Sequence, residues 1–286
     1  MRWQLWSAAL VIILGSHMKA SAKPLHAYVI YGDDDRQEYY QADSRWKVKA
    51  ESTAALIRSV NLQNQGETTA IKTLSYGKSL GLCATEPFYE QETAAFCSGF
   101  LIAPDTVITA GHCLRSQQNC DSTSFVFGFR MDAAAEQPHS VPTDHVFQCS
   151  QLVFSASIPM GEDFAIAKLD RPVPFAAPLA YRSSGAVSVG DGMRVIGYPS
   201  GLPLKVAGGA TVRDVNSQFF VANLDTYGGN SGSAVFNEQT GEVEGILVRG
   251  EMDFTYENGC RVSKRCDVTA CRGEDVTVIG QALSHL

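Results

Sequence analysis

Several features that would narrow the function are scarce or missing in this sequence. The 286 residues include 23 Lys and Arg against 30 Asp and Glu, a formal net charge of -7, so the basic excess typical of nucleic-acid-binding proteins is absent. No internal repeat, heptad pattern or low-complexity tract is present. Helical periodicity is scarce as well, and its best candidate is a short C-terminal helix from about Asp275.

Long apolar runs are absent beyond the N-terminus. The chain begins MRWQLWSAALVIILGSHMKASAK, in which Arg2 precedes an apolar run from Leu5 to Leu14 and a small-residue stretch ending at Ala22. This order of charged, apolar and A-x-A-like regions is typical of a secretory signal peptide, and the run is short for a membrane span. We therefore predict a signal peptide over residues 1–22, a secreted or periplasmic protein, and no membrane association once the signal is removed. An uncleaved anchor is the alternative.

Eight cysteines fit an exported protein, because disulfides persist in oxidising compartments. Their even number favours pairing, although counting does not give the connectivity. Cys260, Cys266 and Cys271 lack the short C-x₂-C spacing of zinc knuckles, so disulfides are favoured over a metal there. The acidic run 33–35 lacks the glycine and closing glutamate of a calcium-binding EF-hand loop, and a solvated turn is favoured over a calcium site.

Short β-prone runs recur between clusters of Gly, Pro, Asn and Asp. They are FCSGFLI at 96–102, TVITA at 106–110, FVFGF at 125–129, FAIAKL at 164–169, MRVIGY at 193–198, SAVF at 233–236 and VEGILV at 243–248. Strands at this spacing predict an all-β barrel or sandwich. We expect one folded body over 52–286, with its first strand in 52–62, after an N-terminal segment, 23–51, in which a short propeptide could lie.

Three segments carry residue types that suggest nucleophilic catalysis. CSGFLIAPDTVITAGHC, 97–113, runs through two strands into His112, which small residues and a cysteine flank. EDFAIAKLDRPV, 162–173, opens an apolar strand at Asp163. TYGGNSGSAVFN, 226–237, sets Ser231 among glycines, which let a backbone turn sharply or approach a ligand closely. A tight turn before a strand is the structural alternative for this last segment.

Together these segments resemble the histidine, aspartate and nucleophile motifs of chymotrypsin-fold serine peptidases. They follow one another in that family's order, at spacings of 51 and 68 residues. Similarity to the bacterial glutamyl endopeptidase branch extends from about Val29 to the C-terminus. The resemblance implies an all-β fold of two six-stranded antiparallel barrels packed together, the first over about 52–160 and the second over about 175–286, with a short C-terminal helix.

The same resemblance implies a role for each residue. Ser231 is the nucleophile, His112 the general base and then acid, and Asp163 the group that orients and stabilises the imidazolium. The N–H groups of Gly229 and Ser231 form the oxyanion hole. A Cys97–Cys113 disulfide would staple the strands before the histidine. No metal or cofactor is required, and the expected partners of this monomer are protein or peptide substrates.

A substrate pocket is expected between two walls that flank the nucleophile. The walls comprise Asp225, Thr226 and Tyr227 on one side, and Leu247, Val248, Arg249 and Gly250 on the other. Asp225 stands where trypsin-like members place the aspartate at the pocket floor, which favours Lys or Arg before the scissile bond. Arg249 could instead neutralise Asp225 and leave no clear charge preference. Glutamate-specific relatives carry a histidine at the place of Leu247, so a glutamate preference is not supported.

One departure from the family's pattern bears on how the protein would be activated. Asn230 occupies the position at which trypsin-like zymogens use an aspartate to receive the new N-terminal amine, so that switch is not expected. The resemblance to the glutamyl endopeptidase branch implies that Val29 is a candidate for the mature N-terminus.

The alternative function is a catalytically inactive homologue that acts as a binding protein. Because all three candidate triad residues are present, a serine endopeptidase is favoured.

Overall fold

The structure, a computed structural model, describes residues 30–159, 161–250 and 252–286, and strands dominate it. The first strands are β1 Ile30–Tyr31, β2 Arg36–Glu38, β3 Thr53–Arg58, β4 Leu62–Asn64, β5 Thr68–Ile71, β6 Leu74–Ser75 and β7 Glu92–Thr93. The next are β8 Cys97–Ala103, β9 Thr106–Thr109, β10 Thr123–Phe127, β11 Ser140–Pro142, β12 Val146–Ser157 and β13 Asp163–Leu169. The last are β14 Gly192–Gly197, β15 Lys205–Val215, β16 Phe219–Ala222, β17 Ala234–Asn237, β18 Val243–Arg249, β19 Phe254–Glu257, β20 Cys260–Ser263, β21 Arg265–Cys266 and β22 Glu274–Val278.

Helices are short and connect or cap these strands. The described α-helices are α1 Ser44–Ala50, α2 Tyr76–Leu80, α3 Gln117–Asp121 and α4 Ile279–Leu283. Single 3₁₀ turns cover Tyr39–Gln41, Ser59–Asn61, Gly111–Cys113, Thr143–His145 and Pro199–Gly201. Among the residues described, no helix has the length and apolar character needed to cross a membrane. The predicted signal peptide and Val29 lie outside the described residues.

Six strands close the first barrel in the order β10-β12-β13-β9-β8-β3. Its interior is filled by fully buried side chains such as Phe100, Ile108 and Phe125, each of which contributes roughly 1.5–3 kcal/mol by leaving water. The register of the 12-residue strand β12 shifts twice along β13, and such bulges help a strand to bend around a barrel. Because β13 pairs with both β12 and β9, this barrel extends to Leu169, past the expected boundary near residue 160.

The second barrel closes in the order β14-β17-β18-β22-β16-β15, and β15 pairs back to β14. The prediction of an all-β fold with two six-stranded barrels and a short C-terminal helix is therefore confirmed. The helix begins later than expected, at Ile279. Residues 274–278 form β22 instead, because that strand pairs with both β16 and β18 and closes the barrel.

An N-terminal segment, residues 30–50, packs on the second barrel before the first barrel begins. Strand β2 adds to the edge of β15, and β1 pairs with β21. Helix α1 is capped by the side chain of Asp43, and its Trp46 meets Phe236 edge-on, with ring centroids 5.7 Å apart. Residues 52–62 were expected to hold the first strand. They contain β3, but β1, β2 and α1 come before it. The sequence contains no clear sign of these three elements, because most of their residues are polar.

Four disulfides join all eight cysteines. The expected Cys97–Cys113 bridge is present and joins the start of β8 to the turn after β9. Cys120 is bonded to Cys149, which ties α3 to β12. The remaining bridges are Cys266–Cys271 and Cys83–Cys260, and the second of these connects segments 177 residues apart.

Candidate active site

His112 and Asp163 meet where two strands of the first barrel come together. His112 lies in the 3₁₀ turn after β9, and Asp163 is the first residue of β13, which pairs with β9. The carboxylate accepts two hydrogen bonds from His112: one from its backbone N–H at 3.0 Å, and one along the Nδ1–Oδ2 contact of 2.9 Å. Asp163 is only 5% exposed. This arrangement fixes the imidazole's orientation and keeps a proton on Nδ1, which leaves Nε2 as the basic nitrogen.

Ser231 lies in the second barrel, on the turn before β17, and lines the same cleft as His112 and Asp163. This cleft encloses about 330 Å³. Ser98 on β8 holds the turn against the first barrel: its N–H donates to the Ser231 carbonyl at 2.8 Å, and its hydroxyl donates to the Gly229 carbonyl at 2.9 Å. Ser98 was not singled out in the sequence, because no local pattern shows that one strand residue bridges two barrels.

The Gly228–Gly229 and Asn230–Ser231 peptide units present two N–H groups that, among the described residues, make no internal hydrogen bond. The carbonyl of Gly228 accepts from the Ser200 N–H, and that of Asn230 accepts from the Ser233 N–H at 2.9 Å. Because C=O and N–H point in opposite directions across a trans peptide, the N–H groups of Gly229 and Ser231 point away from these contacts. Within the described residues neither donates to a protein acceptor. Gly229 has a φ of 94°, which side-chain-bearing residues rarely adopt.

Asn230 is buried beneath this turn. Its N–H donates to the Tyr227 carbonyl at 3.0 Å, and its side-chain oxygen accepts from the Ser233 hydroxyl at 3.4 Å. The residue is 3% exposed. Neutral neighbours therefore hold the turn in place, without the ion pair to an N-terminal amine that an aspartate at this position would allow.

The expected walls, apart from Asp225, surround the cleft beside Ser231. Thr226, Tyr227 and Gly228 form one side, and the end of β18 forms the other with Leu247, Val248, Arg249 and Gly250. Tyr227 and Leu247 are buried, whereas Gly250 is exposed. The first wall belongs to the loop between β16 and β17, and the second to the end of β18 and the residue after it, so the second barrel supplies both.

The structure places Asp225 outside the cleft, contrary to the expectation that it forms the pocket floor. Its Oδ1 accepts from the Tyr31 N–H at 2.8 Å, and its Oδ2 accepts from the Asp35 N–H at 2.9 Å. The residue is 3% exposed, and burial raises the pKa of its carboxyl group to about 7. Asp225 therefore anchors the N-terminal segment. Its spacing from Ser231 could not reveal this, because both donors lie about 190 residues earlier in the chain.

Arg249 does not pair with Asp225, although the sequence had suggested that its charge could neutralise that carboxylate. Its Nε donates to Asp275 at 3.1 Å, and a terminal nitrogen lies 3.9 Å from the Asp163 carboxylate. The guanidinium also reaches the Gly161 carbonyl at 3.4 Å. Arg249 thus lines the cleft while its charge is balanced by acids of the barrel, one of which also orients His112.

Two carboxylates that the sequence did not single out line the cleft, namely Asp253 and Glu274. Asp253 accepts from the Gly228 N–H at 2.9 Å, and burial raises the pKa of its carboxyl group to about 6. Glu274 is 1% exposed and begins β22, whose next residue pairs with Arg249. In the sequence, the one indication that Asp253 lines the cleft was its position shortly after Gly250, which was already expected to form a wall. Nothing local pointed to Glu274.

The profile of the trypsin-like peptidase domain matches residues 97–246, more than half of the chain and the part that contains His112, Asp163 and Ser231. The chain belongs to the trypsin-like peptidase family. The cleft that His112, Asp163 and Ser231 line is the candidate active site of this trypsin-like peptidase domain.

One curated relative of this trypsin-like peptidase is the protein named extracellular metalloprotease from Bacillus subtilis (strain 168). The two are 27% identical over 173 residues, which is 58% of this chain and 54% of the relative. The chain thus matches about half of that relative's length.

Solved structures with a similar fold include a Glu endopeptidase in complex with MPD, at 19% identity and a TM-score of 0.51, covering 89% of this chain and 96% of that one. The Vibrio cholerae VesB protease is another, at 14% identity and a TM-score of 0.53, covering 88% of this chain and 65% of that one. At these identities the likeness concerns the fold alone.

One cluster of potential metal-ligating side chains occurs among the described residues of this trypsin-like peptidase: Cys97, His112 and Cys113. The two sulfur atoms are bonded to each other, and a disulfide sulfur is not the thiolate that binds zinc. The remaining member, His112, already holds Asp163 through Nδ1. This donor set does not fit a metal site.

Proposed function

We propose that this trypsin-like peptidase is a secreted serine endopeptidase that hydrolyses peptide bonds through an acyl-enzyme. The observation that carries the proposal is the pair of bonds between Asp163 and His112, in a cleft that Ser231 also lines. A serine hydroxyl is a weak nucleophile at neutral pH and needs an adjacent base. An imidazole oriented by a buried carboxylate is such a base.

In the proposed reaction, Ser231 Oγ attacks the carbonyl carbon while its proton passes to His112 Nε2. The carbonyl oxygen becomes an oxyanion that accepts from the N–H groups of Gly229 and Ser231. His112 then gives the proton to the leaving amine, the C–N bond breaks, and an ester to Ser231 remains. Water, deprotonated by His112, hydrolyses the ester and restores the enzyme. Asp163 stabilises the imidazolium in both halves of the reaction.

The substrate class and the location belong to the same proposal. We expect a preference for Lys or Arg before the scissile bond, supported by the acidic groups of the cleft rather than by Asp225. Secretion is supported by four disulfides and by the signal-peptide pattern of residues 1–22. The name of the Bacillus relative places that protein outside the cell.

Labelling with a fluorophosphonate tests the proposal, because this reagent traps an activated serine. We expect one adduct, located at Ser231 by peptide mass spectrometry, and loss of both labelling and peptide cleavage in Ser231→Ala with an almost unchanged melting temperature. Ser183→Ala, at an exposed serine outside the cleft, is the matched control and should keep its label. A folded protein that never labels would support the inactive homologue. Unlabelled protein whose cleavage activity is abolished by a chelator would instead indicate the metal chemistry named for the Bacillus relative.

A further inference from the structure

We propose that Arg36 is a positioning residue for the substrate cleft: stacked on Tyr227, it holds the first wall in place and makes substrate binding depend on the docking of residues 30–36. The inference rests on the proposed function and deepens it, because it names a residue outside the cleft that the cleft needs. Arg36 is not one of the described residues that line the cleft, and it acts through Tyr227, which does line it beside Ser231.

The guanidinium of Arg36 is buried against the aromatic ring of that wall. Its carbon Cζ lies 4.3 Å from the centroid of the Tyr227 ring, and the whole residue is 6% exposed. Nε and Nη2 donate to the two carboxylate oxygens of Asp34 at 2.8 and 2.7 Å, whereas Nη1 has no hydrogen-bond partner among the described residues. A cation over an aromatic face is stabilised most where water is excluded. The contact therefore fixes both the guanidinium and the ring.

Arg36 is itself held from two further sides. Burial alone would raise the pKa of the Asp34 carboxyl group, but the hydrogen bonds and the charge of Arg36 outweigh the burial and lower it. Such a two-pronged pair orients a guanidinium as well as neutralising it. The ring of Phe88 lies 5.1 Å from Arg36 Cζ, and Phe88 has a φ of 62°, which bulky residues rarely adopt. A strained backbone of this kind persists only where the surrounding packing holds it.

The same N-terminal segment reaches the chain around Tyr227 at two more points. Asp225, two positions before Tyr227, accepts from the N–H groups of Tyr31 and Asp35 at 2.8 and 2.9 Å. Ile30 is fully buried and shares a small apolar cluster with the Tyr227 ring. All these contacts use side chains or N–H groups within the chain rather than a terminal amine. The first wall is thus built against the segment and not by the second barrel alone.

Tyr227 also connects the wall to the nucleophile turn. Its carbonyl accepts from the Asn230 N–H at 3.0 Å, and Asn230 immediately precedes Ser231. Its hydroxyl donates to Ser263 on β20. A Tyr227 ring that lost Arg36 would be held by fewer contacts, so the wall would shift and the hydrogen bond to Asn230 would weaken.

Both barrels close without residues 30–36. Strand β1 pairs with β21, and β2 adds to β15, but the two sets of six barrel strands are paired with one another independently of β1 and β2. Docking of the segment can therefore be weakened while the barrels stay folded. This separates a positioning role for Arg36 from a contribution to overall stability.

The test compares kcat and KM on a reporter peptide in the parent, Arg36→Met, Arg36→Lys and Arg194→Met. Methionine keeps an unbranched apolar side chain and removes the charge. We expect KM to rise by about tenfold in Arg36→Met, as for losing a desolvated contact between a cation and a ring, with a smaller change in kcat. Arg36→Lys should show part of this effect, because lysine keeps the cation but not the two-pronged pair.

Arg194→Met is the matched control. Arg194 also pairs with an acid, Glu238, at 2.8 Å and lies 4.9 Å from an aromatic ring, that of Trp46. None of these three residues lines the cleft. Its KM should match that of the parent, and melting temperatures check that every variant folds.

A double-mutant cycle with Tyr227→Leu tests whether Arg36 acts through the ring. If it does, Arg36→Met should raise KM in the parent and have little further effect in Tyr227→Leu, because residues that act through one contact are not additive. Additive effects on KM, or an unchanged KM in folded Arg36→Met, would overturn the proposal.

Hydrogen exchange at the Asn230 N–H, whose acceptor is the Tyr227 carbonyl, needs no turnover and separates this proposal from the proposed function. Faster exchange in Arg36→Met than in the parent and in Arg194→Met supports the positioning role. That result stands even if fluorophosphonate does not label the parent, which would contradict the serine chemistry alone. Equal exchange in all three proteins, with Ser231 labelled, would overturn the positioning role and leave the serine chemistry standing.

Discussion

Asp163 contacts His112 through both the backbone and the ring, so its replacement by asparagine tests whether the carboxylate orients the imidazole and stabilises its charged form. Asp163→Asn keeps the side-chain size, but its NH₂ group would favour the wrong imidazole tautomer. We expect kcat to fall by about 10⁴-fold, as in well-studied triads, with the barrel packing intact. The measurement is kcat on an Arg reporter peptide together with the near-ultraviolet circular dichroism spectrum.

Asp132→Asn is a suitable control for this change, because Asp132 pairs with Arg130 on an exposed surface, where such pairs contribute little. Its kcat should match that of the parent. A loss of less than tenfold in Asp163→Asn would show that the carboxylate does not act through His112.

The conformation of Gly229 permits a second test confined to one residue. Gly229 and Gly259 share nearly the same φ, 94° and 92°, but a Cβ on Gly229 would lie 2.8 Å from the Tyr198 carbonyl, whereas one on Gly259 meets nothing within 4 Å. Gly259→Ala should cost about 1 kcal/mol from backbone strain alone. Gly229→Ala should cost more and should also lower kcat, because the N–H group proposed to bind the oxyanion would be displaced. Urea unfolding and reporter kinetics measure both effects, and equal losses in the two variants would contradict the role given to Gly229.

The N-terminal segment depends on one buried carboxylate. Asp225 binds the N–H groups of Tyr31 and Asp35, and burial together with the nearby acids Asp34 and Asp35 raises its pKa to about 7 from 3.8. The folded state therefore holds this proton more tightly than the unfolded chain does. The stabilisation from the bound proton is complete below about pH 4 and is lost as the pH rises towards 7.

Asp225→Asn should reveal this dependence, because asparagine does not titrate. We expect the difference in melting temperature, parent minus variant, to shrink as the pH rises from 5 to 8. Circular dichroism melts at each pH provide the measurement. A difference that grows with pH would mean that the two N–H donors favour the carboxylate more than burial opposes it.

Local patterns in the sequence were sufficient to predict most of the strands, whereas contacts between residues far apart in the chain were not predictable from it. Each β-prone run noted in the sequence coincides with a strand, because burial on a barrel requires the apolar side chains that such runs supply. Helix α1 went unnoticed because only Trp46 and Ala50 of its seven residues are buried, too few to produce a visible period. The segments around His112, Asp163 and Ser231 were recognisable because, in this order along the chain, they resemble the motifs of chymotrypsin-fold serine peptidases.

Contacts between residues on different strands could not be predicted from the sequence. The partners of Arg249 come from the loop before β13 and from β22, and neither has a fixed spacing from β18. Glu274 reaches the cleft only because β22 pairs with β18 when the barrel closes. The set of residues that line the cleft therefore depends on barrel closure, whereas the candidate triad can be recognised segment by segment.

The Cys83–Cys260 disulfide joins a loop after α2 to the β19–β20 hairpin, and Asp253 immediately precedes that hairpin. A crosslink over 177 residues restricts the unfolded chain far more than the Cys266–Cys271 crosslink over 5 residues. In the chain-entropy account the two contribute at most about 5 and about 2 kcal/mol respectively.

Replacing Cys83 and Cys260 together by serine should thus lower the free energy of unfolding more than replacing Cys266 and Cys271. It should also speed hydrogen exchange in 254–263 and raise KM for Arg peptides with little change in kcat. A raised KM without faster exchange would show that the hairpin does not position Asp253.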